Sequence, residues 1–199
     1  DKVALLSTSF VLERKFKLME EAARLQGVEL AWTQVDRAEP AGGEAGARRV
    51  LQGARLVILD TPRSDDQAQI ERVAGKLLRE AGLPTVGVQV MSPPQRLRAL
   101  QMDAAQAQRL FDYYVGGTRA NHERLAAYLK AWLSGGDLAA VSPPVELPNG
   151  GIYHPGYEQA VFAGLPQYLA WWQRHSGRAW QGQPVVAMET SSSYLSDGQ

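Results

Sequence analysis

Val3-Ala4-Leu5-Leu6-Ser7, near the start of the chain, is an unbroken apolar run ending on a hydroxyl, and its reading decides the fold. A strand buried on both faces looks like this, because a parallel sheet covered by helices on either side has no polar face to alternate with. The next segment supports that reading. Leu12, Phe16, Met19, Ala23 and Leu25 recur at three- and four-residue spacing, with Glu13, Lys15, Lys17, Glu20, Glu21 and Arg24 mostly between them and Gly27 where a C-cap belongs. An amphipathic helix covering one sheet face follows. Glu29–Val35, Leu56–Asp60 and Thr85–Val90 repeat the strand pattern. Between them, helices are expected from about Glu44 to Gln52, ended by Gly53, and from Ser64-Asp65-Asp66 through Leu78, ended by Gly82. Alternating strands and helices with short connections and right-handed crossovers give an α/β fold, a flavodoxin- or Rossmann-like open parallel sheet with flanking helices, ordered 2-1-3-4.

Beyond Val90 the pattern changes. Pro93-Pro94 opens a long helical stretch from Arg96 to about Tyr114, stopped by Gly116-Gly117, and a further helix from Arg119 to about Leu133 carries Leu125, Tyr128, Leu129 and Trp132 on one face. Ser134 to Gly151 holds Gly135-Gly136, Pro143-Pro144, Pro148 and Asn149-Gly150-Gly151, the composition of a linker or an arm laid over the surface. After it come Ile152-Tyr153-His154-Pro155-Gly156-Tyr157, an aromatic helix through Trp171-Trp172 to His175, and a strand over Val185–Met188. The expected organisation is an α/β domain over 1–134, a Pro/Gly-rich linker over 135–151, and the extra helix with the start of a second α/β unit over 152–199. Asp1 in place of Met, and a helix-capping Ser196-Asp197 with no helix after it, read as a chain cut at both ends. Val186-Ala187-Met188 followed by serines faintly repeats the opening strand, as a second unit just beginning would.

Composition excludes several function classes. Across 199 residues there is no cysteine, hence no disulfide framework, thiolate metal site or thiol nucleophile. Lys+Arg and Asp+Glu number 21 each, and this zero formal charge, interleaved along helices, argues against nucleic acid as a partner. No apolar run approaches the roughly 18 residues of a transmembrane helix. The cytoplasm is the expected compartment, with the periplasm after removal of a signal peptide as the alternative.

Candidate chemistry is sparse. The first strand-to-helix turn, Ser7-Thr8-Ser9-Phe10-Val11, has hydroxyls but no glycine, so it is a poor phosphate cradle; either it holds a ligand or Ser9 caps the first helix. Asp60-Thr61 ends the third strand at the carboxyl edge, where open α/β sheets bind ligands, or else caps a turn. Ser7 and Asp60 are therefore candidate substrate-binding residues. The three histidines, His122, His154 and His175, share no metal-ligand spacing, and no metal site or catalytic residue is expected. His122, early in a helix, and His175, in a last turn, read as surface residues. His154 and Tyr153 lie between flexible glycines and Pro155, a setting common in ligand-contacting loops; the alternative is that they pin the linker to the domain. Trp171 and Trp172 cannot share one helix face, so one is expected in a core and the other against a second domain or solvent.

Three segments in order carry a resemblance: Tyr113-Tyr114-Val115-Gly116-Gly117-Thr118-Arg119-Ala120-Asn121 leading a helix, then Gly151-Ile152-Tyr153-His154-Pro155, then Pro184-Val185-Val186 before Ser193-Tyr194-Leu195-Ser196-Asp197-Gly198-Gln199. They resemble the amino-terminal region of the large subunit of the cobaltochelatase (CobN) and magnesium chelatase H family. The resemblance implies a fragment of a very large protein that binds a tetrapyrrole, such as hydrogenobyrinic acid a,c-diamide or protoporphyrin. Cobalt or magnesium would then be inserted with ATP hydrolysed by AAA+ partner subunits. That division of labour would explain the missing phosphate loop and implies that this fragment binds no cofactor itself. The remaining domains of the same chain would be further partners. Gly116, Gly117, Asn121, Tyr153, His154 and Pro155 match the family's pattern, with structural or domain-contact roles implied for most.

Overall fold

The structure, a computed structural model, describes residues 1–36, 38–91, 96–146, 150–154, 156–157 and 161–182. Pro155, the strand expected over Val185–Met188 and the Ser196-Asp197 signal lie outside the described residues. In chain order the elements are β1 (Lys2–Thr8), α1 (Glu13–Leu25), β2 (Glu29–Val35), α2 (Pro40–Leu51), β3 (Leu56–Asp60), α3 (Ser64–Ala81), β4 (Thr85–Gln89), β5 (Arg96–Leu100), α4 (Ala104–Gly116), α5 (Arg119–Ser134), β6 (Ile152–Tyr153), β7 (Val161–Phe162) and α6 (Leu165–Ser176). The sheet runs β2-β1-β3-β4-β5, parallel from β2 to β4, so the α/β reading and the 2-1-3-4 order hold.

Each central strand divides its side chains between two cores, as a pleat of period two requires. Val3 and Leu5 of β1, Leu56 and Ile58 of β3, and Val86 and Val88 of β4 pack against Phe16, Leu110, Leu125 and Leu129 of α1, α4 and α5. Ala4, Leu6 and Val57 face the other way, onto Ala47 and Val50 of α2 and Ile70 and Ala74 of α3. Three helices thus cover one face and two the other.

Three local expectations are corrected. Residues 96–100 form an antiparallel edge strand paired with β4, not the start of a helix. Leu97 packs towards the core while Arg98 is exposed, a strand alternation, and the helix begins only at Ala104, where the Asp103 carboxylate accepts from the N–H groups of Ala105 and Gln106. Ser9 does not cap α1, whose first helical residue is Glu13; the Gln34 amide secures the intervening turn, donating to the carbonyls of Thr8 (3.3 Å) and Val11 (2.5 Å). Helix α2 starts at Pro40 instead of Glu44, since proline at the first helical position presets φ and gives up an N–H that would have no partner.

The glycine pair between α4 and α5 has a packing reason. Gly117 takes a left-handed φ of 56°, and a Cβ on Gly116 would lie 2.1 Å from Asn121 Nδ2. The space goes to the Asn121 amide, which donates to the Val145 carbonyl (3.0 Å) and accepts from the Val145 N–H (2.7 Å). Alongside, Arg109, Tyr113 and Arg124 donate to the carbonyls of Val141, Ser142 and Pro143. The Pro-rich segment is therefore stitched along α4 and α5 through its own backbone. Gly116→Ala and Asn121→Ala are each expected to cost roughly 2 kcal/mol, because both undo one pair of buried hydrogen bonds. Urea denaturation of the two single variants and the double should show the double costing clearly less than their sum.

Candidate functional site

A carboxylate at the end of an otherwise apolar strand must find a cation or lose its charge. Asp60 is fully buried, and two helices reach it: Lys15 Nζ of α1 at 2.9 Å and the Tyr114 hydroxyl of α4 at 2.6 Å, both on Oδ2. The Lys15 ammonium also sits 4.2 Å from the centre of the Tyr114 ring. Ser7 closes the arrangement from β1, its hydroxyl donating to the Asp60 carbonyl at 2.9 Å. Burial first, then the Asp60 charge and hydrogen bond, push the Tyr114 phenol well above its ordinary range, so it stays a donor. Ser7 and Asp60 are thus brought together as expected, with both side chains sealed within the protein and Ser7 engaged by backbone.

His122 is corrected from surface to core. It is 3% exposed, and neither ring nitrogen has a hydrogen-bond partner; Asp60 Oδ1 is likewise buried without one. Burial, and secondarily the Lys15 charge, lower the imidazole to about 4, so it is neutral at physiological pH. The signal was in the sequence, because His122 lies on the same helical stripe as Leu125, Ala126 and Leu129, all buried.

Around this edge the loops add a second polar knot. Asp66 of α3 accepts from the Thr8 hydroxyl (2.8 Å), from the Arg63 backbone N–H (3.0 Å) and from two Arg63 guanidinium nitrogens (2.9 and 2.8 Å). Burial alone would raise the Asp66 carboxyl, but the Arg63 and Thr8 hydrogen bonds outweigh it and leave it below the usual carboxylate range. The Arg63 guanidinium lies 3.7 Å from the centre of the Phe10 ring, and Phe10, Leu12 and Met91 are exposed.

The second set of candidates forms a cluster of its own. Ile152 and Tyr153 of β6 pair antiparallel with Phe162 and Val161 of β7, and a Cβ on Gly151 would meet the Phe162 carbonyl oxygen at 2.3 Å, so only glycine fits there. Helix α6 lies on this hairpin. Its Trp171 is bracketed by imidazoles, His154 at 4.6 Å and His175 stacked at 4.4 Å and 14°, with Tyr168 and Trp172 6.1 and 5.9 Å from His154. Tyr157 stacks on Phe162 at 3.7 Å, and His154 Nδ1 accepts from the Gly156 N–H at 3.0 Å. Neither tryptophan enters a core: both are half-buried and α6 buries no residue, because a two-stranded hairpin is too small to enclose an indole. His175 is exposed and Tyr153 is 37% exposed. Among the described residues no group of three His, Asp or Glu side chains could hold a metal, and no helix is long and apolar enough to cross a membrane.

Two predictions concern the buried set. Because the unfolded His122 binds a proton near pH 6.5 and the folded one only near 4, stability is complete above about 6.5 and falls as pH drops towards 4, by on the order of 3 kcal/mol. Urea midpoints measured from pH 7 to pH 4 should show this loss, and His122→Leu should flatten the curve over that window. Lys15→Met, which strands Asp60 without its cation, is expected to cost about 3 kcal/mol or more, against less than about 0.5 for Lys17→Met in the exposed pair with Glu13; thermal and urea denaturation check both.

Comparison with known proteins agrees with the motif order. The CobN/Magnesium Chelatase family model matches residues 111–199, the span that holds Gly116, Gly117, Asn121, Tyr153, His154 and Pro155. The chain also aligns with the catalytic subunit of cobaltochelatase from Mycobacterium tuberculosis at a TM-score of 0.48 and 21% sequence identity, over 77% of this chain and 12% of that one. No curated protein matches the chain.

Proposed function

We propose that this chain, whose residues 111–199 match the CobN/Magnesium Chelatase family model, is part of a chelatase large subunit and contributes a tetrapyrrole-binding surface for ATP-dependent insertion of cobalt or magnesium. The observation that carries this reading is the half-exposed ring cluster of His154, Tyr168, Trp171 and Trp172, which falls inside the family-matched span. A tetrapyrrole is a broad, flat apolar body with a polar rim. Indole and phenol rings offer it stacking area, and an imidazole can hydrogen-bond its periphery. His154 Nδ1 is already engaged by Gly156, which fixes the ring and leaves Nε2 for a ligand.

On this reading the chain binds and orients, and the chemistry of insertion belongs to other parts of the assembly. ATP hydrolysis is assigned to partner AAA+ subunits, which would explain the glycine-free turn after β1. The metal ion is substrate. We further assign 1–134 to the α/β domain, 135–151 to the connecting arm, and 152–199 to an aromatic unit that opens towards further domains of the same chain, within a cytoplasmic enzyme. Tetrapyrrole binding would centre on His154 and Tyr153, with Ser7 and Asp60 as the sealed base of the sheet edge.

Titration of the 199-residue chain with hydrogenobyrinic acid a,c-diamide and with protoporphyrin, followed by tryptophan fluorescence, tests the proposal. Saturable quenching is expected, weakened about tenfold by Trp171→Ala and by His154→Ala, the scale of one lost stacking or charged contact. Absence of quenching with both compounds would reject a substrate role and leave a docking module.

A further inference from the structure

Among the described residues, the second sheet face is left half open. Helices α2 and α3 cover β2, β1 and β3, and beyond α3 the strands β4 and β5 present Thr85, Gly87, Gln89, Arg98 and Leu100 to a groove of about 710 Å³. Its wall is apolar, formed by Leu59, Ile70, Leu78 and Leu83. The volume lies within the range of small-molecule sites, roughly 300–1,000 Å³. A helix laid on this strip would need an apolar floor, and apart from Leu100 the strip offers a hydroxyl, a glycine, an amide and a guanidinium.

The charges in the groove point to the ligand's sign. Glu71 and Arg79 neutralise each other in an ion pair, which leaves Arg98 as a cation with no acidic partner among the described residues. A guanidinium presents a planar fork matched to a carboxylate. At the mouth, Gln101 is the one non-glycine residue among those described with a left-handed backbone, φ 56°. Any residue with a Cβ is strained there, and glycine would relieve it. What glutamine adds is an amide at the rim. Strain kept where it places a polar group is the mark of a binding position.

We infer that this groove binds a small organic carboxylate with an apolar body, its carboxylate on Arg98 and the Gln101 amide, its body against Ile70, Leu78 and Leu83. The site lies outside residues 111–199 and stands independently of the tetrapyrrole reading.

Pyrenebutyrate is the probe, with pyrenebutanol and pyrenebutylamine as neutral and cationic counterparts, each titrated into the 199-residue chain by fluorescence anisotropy. The acid is expected to bind saturably and at least about tenfold tighter than the alcohol or amine, the worth of one charge-assisted hydrogen bond. Arg98→Ala should erase that preference. Gly87→Val should block binding of all three probes; its Cβ would meet Arg98 Cβ at 3.5 Å, an ordinary contact, so the strand accommodates it. Gln101→Gly should weaken the acid while keeping or raising the Tm, which separates loss of a ligand contact from loss of fold. Equal affinity for acid, alcohol and amine would overturn the inference, and so would binding of the acid unchanged in Arg98→Ala or Gly87→Val. Trp171→Ala, which removes the aromatic cluster's centre, should leave the acid's affinity as it was; a loss there would place the probe on that cluster and overturn the groove.

Discussion

The buried charge of Asp60 constrains more of this molecule than any other group. With no water to solvate it, the carboxylate fixes the positions of whatever compensates it, and those groups come from α1 and α4. Lys15 cannot swing to solvent and Tyr114 cannot ionise without leaving an uncompensated charge. The carboxyl-terminal end of α4 is therefore held against β3, and two residues after Tyr114 the chain reaches Gly116. From there the consequences run along the backbone: the glycine admits Asn121, and Asn121 holds Val145. A single electrostatic requirement at the sheet edge is linked by short steps to the path of the chain as far as Val145.

The sheet shows why polar residues in a strand have to be read face by face. Val86 and Val88 of β4 are as apolar as anything in β1, and they complete the core shared with α4 and α5. Their neighbours Thr85 and Gly87 would be a poor choice under a helix, and among the described residues they line a groove instead. The edge strand β5 repeats the pattern, with Leu97 turned to the core and Arg98 exposed. Antiparallel addition of β5 closes the exposed hydrogen-bonding edge of β4, and among the described residues a groove runs along one of its faces.

How much of this was legible follows from what each residue depends on. The parallel sheet and its order were legible because an all-apolar run such as Leu56–Leu59 has few other uses and short βα connections leave few topologies. β5 was missed because Arg-Leu-Arg-Ala-Leu satisfies both a strand and a helix period over five residues, and only pairing with β4 decides between them. Asp60 was legible as a candidate from its position at a strand end, and its need for a cation followed from chemistry, but the choice of Lys15 did not, since Lys15 sits among solvated charges on α1. His122 was misplaced by giving residue type more weight than helical phase. Gly116 and Asn121 were legible as a motif and opaque as a mechanism, because five residues of sequence separation say nothing of an amide filling the place of a missing Cβ.

The two polar settings differ in what they can do. The network of Asp60, Lys15, Tyr114 and Ser7 is sealed, its hydrogen-bonding capacity is largely spent internally, and groups spent on each other stabilise a fold more readily than they recognise a ligand. The hairpin and α6 are the reverse, rich in ring surface and poor in burial: Phe162 is the buried centre, and the tryptophans stay half open because the unit is too small to close over them. Apolar surface left exposed in this way lowers the stability of a free unit and is recovered only when something flat or apolar covers it. The open rings of the aromatic unit therefore suit a ligand in a way that the sealed groups at the sheet edge do not.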